Sequence, residues 1–548
     1  MMLSPRNRLF LPLIIAISVI AGMLLSLALF RNQTKEVLGF KLPKKDKLST
    51  IIDYVKSEYV DEVNVDSLVE LAIPNFLRQL DPHSVYMTAD EAKAVNEPLE
   101  GNFEGIGIQF SVNNDTILVV DIIHGGPSEK LGLKAGDRII TINDSVVAGV
   151  GIKSDNVVKL LKGPRGTTVK VGILRKGRDK LLHFNIIRDK IPILSIDAAY
   201  MIDDKTGYIK ISSFSKNTHT EFVESAFKLH QAGMKNLILD LRGNSGGYLD
   251  AATNIVDEFL KGGKMIVYTE GRSRPRNSVY ATDKRAVCVD VNLAVLIDEF
   301  SASASEIVAG AIQDNDRGWI IGRRSFGKGL VQEPTIFKDG SMLRLTTARY
   351  YTPSGRCIQK NYSGGYESYY DELMERYLHG EFQVADSIDQ NDSLQYKTSG
   401  GRLVYGGGGV MPDIFIPIDS VLFNPTLRLL SDFGLAYSFA LQYTDKNREL
   451  FSGISSVDSL IMVLDSRYTM SEFGTYIRKN KHYISYFNWN KYMPYIKSQV
   501  YGYIVRNVFD DNAFYGYINK IDNTYLQAVK TLESNESVTG TQNSPSHK

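Results

Sequence analysis

Cysteine is almost missing from this chain, with two residues in 548, Cys288 and Cys357. Two thiols in no C-x-x-C frame cannot build a disulfide framework, and they leave the redox compartment undetermined. Histidine is sparse as well, at eight residues, and no H-E-x-x-H or clustered Cys/His spacing occurs. Motif-spaced metal catalysis is therefore excluded, and neither metal nor cofactor is expected. Net charge is nearly nil: 63 Lys and Arg against 62 Asp and Glu leave +1. That balance lacks the electrostatic footprint of a nucleic-acid partner. Charge is locally absent in one place, the 22 residues from Leu9 to Phe30. As a helix this run is about 33 Å long, enough for a hydrocarbon core of roughly 30 Å. Arg6 and Arg8 precede it like a signal n-region, and no A-x-A site follows, so an uncleaved single-pass anchor is expected. Arg31, Lys35, Lys41, Lys44, Lys45 and Lys47 outnumber the upstream arginines, and a positive-inside count alone would keep the chain cytoplasmic. A first segment with a short basic head usually acts as a signal, so export is expected.

What is present concentrates between Phe300 and Gln332. Ser301-Ala302-Ser303-Ala304-Ser305-Glu306 follows the apolar run Leu293–Ile297 and opens into a helix-like pattern, Ile307–Ile312. A hydroxyl at such a strand-to-helix turn sits at the C-terminal edge of a sheet, beside outward-pointing N–H groups. Further on, Ser325-Phe326-Gly327-Lys328-Gly329-Leu330-Val331-Gln332 brackets one lysine with two glycines. Plainer readings exist for both. Ser303–Glu306 fits a helix capping box, and Lys328 alone reads as a solvated loop residue. Gly322–Lys328 also matches G-x-x-x-x-G-K, but Gly329 stands where a nucleotide loop needs Ser or Thr.

These two strings closely resemble the carboxyl-terminal processing peptidases, or tail-specific proteases, serine proteases with a Ser–Lys dyad. The similarity extends to Leu239–Gly247 (LDLRGNSGG), Leu80-Asp81-Pro82-His83-Ser84 and Tyr351–Arg356, and covers roughly residues 46 to 418. It implies that Ser303 is the nucleophile, Lys328 the general base and Gln332 the residue that orients it. It further implies an oxyanion hole from the N–H of Ala304 and a glycine of the Gly246-Gly247 pair, Gly247 being the choice. A lysine titrates near 10.4, so a base near neutral pH requires a depression of roughly 2–3 units, about 3–4 kcal/mol. Gln332 suits such a site because it accepts a hydrogen bond without adding charge. A histidine triad is the rival; His83, beside Asp81 and Ser84, reads more simply as part of a capped turn.

Between Glu100 and Arg188 lie short apolar strands, glycine turns and one helix near Ser154–Leu161. Gly105-Ile106-Gly107-Ile108 and Gly132-Leu133-Lys134-Ala135-Gly136-Asp137 together resemble a PDZ domain. The resemblance implies that Gly105, Ile106, Gly107 and Ile108 cradle a terminal carboxylate while the peptide adds as a strand. Ile106 and Ile108 make an apolar tail the expected ligand. The alternative function is a catalytically inactive PDZ scaffold that binds tails without cutting.

The expected class is α/β (α+β) and multidomain, an α/β serine-protease core with an inserted PDZ domain and helical segments at both ends. The expected division is 1–45, basic region, anchor (9–30) and linker; 46–99, helical; and 100–188, PDZ. It continues with 189–359, protease core; 360–400, a polar tyrosine-rich insertion; and 401–420, a return strand. Last come 421–533, helical, and 534–548, low in hydrophobics and disordered. Gly406–Gly409 reads as a mobile loop. Expected partners are protein substrates with free C-terminal tails and, through the N-terminal helix, the bacterial inner membrane, with the catalytic part periplasmic as the family resemblance implies. Homo-oligomerisation is one role open to the C-terminal helices.

Overall fold

The computed structural model describes residues 16–23, 25, 46–113, 115–284, 286–388, 390–419, 421, 425–432, 434–479 and 489–534. Of the expected anchor only 16–23 and 25 are described, and they are helical; the rest of Leu9–Phe30, the other residues of 1–45 and the tail at 535–548 lie outside the described residues. No described helix is long and apolar enough to cross a membrane. Residues up to Phe76 form one compact unit, holding α1 (Lys47–Glu58) and nearly all of α2 (Val65–Leu77).

The second unit starts at Leu77. The helical region expected over 46–99 is broken by a short strand, β1 (Val85–Met87), before α3 (Ala89–Glu100). β2 (Asn102–Gly105) then leads into the inserted module: β3 (Ile108–Asn113), β4 (Thr116–Ile122), β5 (Arg138–Ile142), β6 (Ser145–Val146), α4 (Ser154–Leu161), β7 (Thr168–Leu174) and β8 (Leu182–Ile187). Its sheet runs β3-β4-β5-β7-β8, with β6 on β5. Alternate residues point inward and pack one apolar core of Ile117, Val119, Ile139, Val157, Val169 and Val171. The chain leaves through β9 (Asp189–Pro192), which pairs antiparallel with β2, Phe103 opposite Ile191. The module thus hangs on a two-stranded neck.

The main core is a six-stranded sheet in the order β10 (Ile196–Met201), β11 (Thr206–Ile211), β12 (Asn236–Asp240), β15 (Asn292–Ile297), β16 (Trp319–Gly322) and β21 (Ile414–Phe415). All neighbouring pairs are parallel except β10–β11. β12 and β15 read as continuous apolar runs because both faces are covered. Leu237, Leu239 and Val295 face α5 (Thr218–Gln231), α6 (Leu249–Asp257) and α7 (Ala304–Asp314). Ile238, Ala294 and Leu296 face Tyr525 and Ala528 of a helix near the C-terminus.

A second, antiparallel sheet carries β13 (Met265–Gly271), β14 (Arg274–Tyr280), β17 (Leu330–Ile336) and β18 (Met342–Tyr351), with β1 on the edge of β18. The segment at 360–400 contains α8 (Tyr366–Leu378) and β19 (Gln395–Lys397), which pairs with β20 (Leu403–Tyr405). Beyond it, α9 (Leu435–Lys446), α10 (Val457–Ser466), α11 (Thr469–Lys479) and α12 (Trp489–Val508) share their own core around Phe439, Leu460, Phe473 and Val500. α13 (Asn523–Glu533) supplies Tyr525 and Ala528. Arg138 of the inserted module meets Asp445 of α9 at 2.6 Å.

Candidate active site

The site lies at the C-terminal edge of the parallel strands. After β15 the chain reaches Ser303 with φ 55 and ψ −113, a conformation sparsely populated by residues with a side chain. α7 begins at the next residue and is buried along its whole length. The capping reading holds in part: Glu306 reaches back and accepts the Ser303 N–H at 2.8 Å. Asn244, in the turn after β12, donates to Ile211 O at 3.0 Å and accepts the Gly246 N–H at 2.8 Å. A Cβ on Gly246 would lie 2.8 Å from Ser303 Cβ and 3.0 Å from Ala304 N, so the glycine pair rests against the serine. With Gly246 engaged, the N–H groups of Gly247 and Ala304 have no backbone partner among the described residues.

Lys328 sits in the loop between β16 and β17. Glu306, fully buried, accepts from Ser325 Oγ at 2.5 Å, Gly327 N at 2.7 Å and Lys328 N at 2.9 Å. This occupancy disposes of the nucleotide-loop reading, because the N–H groups a phosphate would need already hold a carboxylate. Burial pushes Glu306 up to about 7 against these four donors, which favour the ionised form. Tyr350, at the end of β18, donates to Lys328 O at 2.5 Å and lies 3.1 Å from Ser303 O. Ser303 and Lys328 are thus brought together through Glu306 and Tyr350. No hydrogen bond joins Ser303 Oγ to Lys328 Nζ among the described residues. Burial lowers the Lys328 pKa, the charge of Arg344 adds to this, and Glu306 and Asp81 oppose it.

Gln332 donates through Nε2 to Thr346 Oγ1 at 3.3 Å, which in turn donates to Asp81 Oδ1 at 3.0 Å. Asp81 also accepts the N–H groups of His83 and Ser84, each at 2.8 Å, and Ser84 Oγ at 2.6 Å. The Asp-Pro-His-Ser turn is a capped turn as read, but it stands beside the lysine site. His83 Nε2 lies 2.8 Å from Tyr369 Oη, and burial, with the charge of Lys328, pushes His83 down to about 3.

Gly406–Gly409 is not a mobile loop. Gly406, Gly407 and Gly409 donate to Leu394, Cys357 and Ile358 carbonyls at 2.7–3.0 Å. A Cβ on Gly409 would lie 2.7 Å from Ser325 O, and one on Gly327 3.2 Å from Gly409 N. The glycines are needed because two backbones touch there.

In the inserted module, Gly107 has φ 76, and the Ile106 and Gly107 N–H groups take no backbone partner among the described residues. Ile106 O accepts Ser128 N and Oγ. Gly105, Ile106 and Ile108 are buried, the two isoleucines inside the module's core.

Residues 205–366 match the family model described as Peptidase family S41, residues 105–186 that of a PDZ domain, and residues 426–510 a family of unknown function (DUF8443). The Carboxy-terminal processing protease CtpA of Bacillus subtilis (strain 168) is 36% identical over 341 residues, 61% of this chain and 72% of the relative. The Carboxy-terminal-processing protease of Bartonella bacilliformis is 39% identical over 320 residues, 57% of this chain and 72% of the relative. This chain belongs to peptidase family S41. It is a serine-type carboxy-terminal processing protease with a PDZ domain. Among solved structures, the photosystem II D1 C-terminal processing protease is 26% identical, covers 68% of this chain and 86% of that one, and superposes at a TM-score of 0.36, too loosely to add to the assignment. A PDZ domain of the carboxy-terminal protease from Vibrio cholerae, solved with a peptide, is 38% identical and covers 17% of this S41 chain and 99% of its own, at a TM-score of 0.16.

The sequence reading of this S41 peptidase missed what joins its two halves. From sequence Glu306 reads only as a cap, and Tyr350 lies in no motif. The fourfold acceptor role of Glu306 has no local signature. A hint existed in Tyr350, a hydroxyl on an otherwise apolar inward-facing position, since buried phenols take partners. Tyr369 of α8, only 1% exposed, packs against His83 and Phe326, while Tyr366 and Tyr370 of the same helix are exposed.

Proposed function

We propose that this S41 peptidase is an endopeptidase that reads free protein C-termini with its PDZ domain and cuts with Ser303 and Lys328. Ser303 Oγ attacks the scissile carbonyl carbon and its proton passes to Lys328 Nζ. The Ala304 and Gly247 N–H groups receive the developing oxyanion. The Lys328 ammonium then returns the proton to the leaving amine, and water repeats the sequence on the acyl-enzyme. Gln332, held by the Thr346–Asp81 relay, keeps a neutral acceptor beside the base. The observation that carries this reading is the pair of ties, Glu306 and Tyr350, that hold the backbones of the half-buried Ser303 and Lys328 in one site. A binding scaffold has no use for a serine in a strained conformation. Ser303→Ala and Lys328→Ala are each expected to remove cleavage of an unfolded substrate with an apolar C-terminus and to leave tail binding intact, read by mass spectrometry and peptide titration. Proteolysis by Lys328→Ala overturns the dyad.

The tail would lie along β3 with its carboxylate on the free N–H groups of Ile106 and Gly107 in the Gly105–Ile108 loop, above the apolar floor that Ile106 and Ile108 help to build. The charge-free run Leu9–Phe30 after Arg6 and Arg8 supports a single-pass anchor in a bacterial inner membrane with the peptidase periplasmic. Protease added to spheroplasts is expected to degrade the catalytic part; its protection counters export.

A further inference from the structure

Tyr350 places a hydroxyl inside the apolar core, with the residue 1% exposed. Phenylalanine would fill the same space without the cost of burying a polar group, so the hydroxyl calls for a function. Its one proton points to Lys328 O at 2.5 Å and is shared with Ser303 O at 3.1 Å, the carbonyls of the two proposed dyad residues. Ser303 O also accepts the helical N–H groups of Glu306 and Ile307 at 2.9 and 3.0 Å. Ser303 C=O and Ala304 N–H belong to one planar peptide group and point in opposite directions. Whatever fixes the carbonyl therefore aims the amide. The tie to Lys328 O acts likewise on the backbone from which the base projects.

We propose that Tyr350 is a positioning residue for peptide hydrolysis: its hydroxyl pins the Ser303 and Lys328 carbonyls, and so aims the Ala304 N–H at the oxyanion and sets the base relative to the nucleophile. The inference rests on the Ser303–Lys328 reading. It also accounts for the persistence of the Ser303 backbone conformation, since strained φ/ψ values survive only where the surroundings over-determine them. Glu306 holds the N–H groups of the same two residues, so each is gripped on both sides of its backbone.

The test is Tyr350→Phe assayed beside Lys328→Ala, with a peptide substrate and a peptide boronate whose tetrahedral adduct mimics the intermediate. The expected result for Tyr350→Phe is a kcat about 10- to 100-fold lower, KM within about twofold, and boronate affinity lowered in parallel with kcat. An unchanged kcat overturns the inference, as does a fall in kcat with boronate affinity unaltered. Should Tyr350→Phe not fold, a fluorotyrosine at position 350 keeps the ring and changes only donor strength; a kcat insensitive to it overturns the inference equally. Activity surviving in Lys328→Ala would instead strike the dyad reading itself, so the two failures are told apart.

Discussion

Glu306 carries opposed demands in one carboxylate. Burial favours its neutral form and pushes it up to about 7 from an ordinary 4.5, while four donors hold it as an acceptor. A folded pKa above the unfolded one means that the fold binds the proton more tightly. Its contribution to stability is then fully present below about pH 4.5 and is lost as pH rises toward about 7. The Glu306 contribution to the unfolding free energy of the Ser303→Ala chain is expected to fall over that window by on the order of 3 kcal/mol. His83, pushed down to about 3, works the other way, because the unfolded chain binds its proton below about 6.5. Chemical denaturation of this chain and of its Glu306→Gln form at pH 5 and pH 7 checks this: the chain with Glu306 should lose stability relative to the Gln form as pH rises. Activity runs the other way. The ionised carboxylate is the form that accepts from all four donors, and on the proposed dyad only the neutral amine of Lys328, its pKa lowered by burial, can take the serine proton. The value of kcat/KM should therefore climb with pH through neutrality, and a falling profile would contradict both assignments.

At the scale of elements, the lysine loop is braced from behind. Arg376 of α8 donates to Arg324 O and Ser325 O at 2.8 and 3.1 Å, Lys360 N donates to Gly327 O at 2.9 Å, and the four-glycine strip lies against Ser325. Gly409→Ala tests this brace. At φ 88 the alanine is strained, and its Cβ would press on Ser325 O, so the loop must shift. The expected outcome is a kcat lower by roughly 100-fold with tail binding by the PDZ domain unchanged; a freely mobile loop would leave kcat alone. The same elements show what can be read from a linear chain. Leu239–Gly247, Ser301–Glu306 and Ser325–Gln332 are legible through their resemblance to a family, since taken alone Ser303–Glu306 reads as a cap and Lys328 as a loop residue. Helix α4 is legible from its own residues. β1 was hidden in a helical stretch because three residues carry no periodicity and its partner β18 lies far along the chain. Glu306 and Tyr350 were not legible as ties, since their contacts exist only after two sheets have packed. The glycine strip was misread because flexibility and close backbone approach call for the same residue.

On the scale of the whole molecule, the peptidase sheet and its helices, the PDZ barrel and the aromatic C-terminal helices each bury an apolar core among the described residues. The PDZ domain touches the others by charge as well as by chain: Lys162 pairs with Glu97 at 2.5 Å, and Arg138 with Asp445 at 2.6 Å. Such partly exposed pairs contribute roughly 0–1 kcal/mol each, so they orient the domain without locking it. The neck matters more. β2 and β9 are paired, Glu104 opposite Lys190, so the chain departs and comes back at one place. The PDZ domain is therefore a removable cassette. Replacing residues 105–189 by Asn-Gly converts the neck into a two-residue hairpin and asks nothing of the peptidase sheet. The shortened chain is expected to fold, to keep a Ser303 that reacts with an active-site serine probe, and to lose all preference for a substrate's tail. A shortened chain that fails to fold would show that the PDZ core supports the catalytic one. The same geometry makes the parent tolerant of damage: one backbone cut in a PDZ loop leaves both ends of the break tethered, and reader and blade stay one particle.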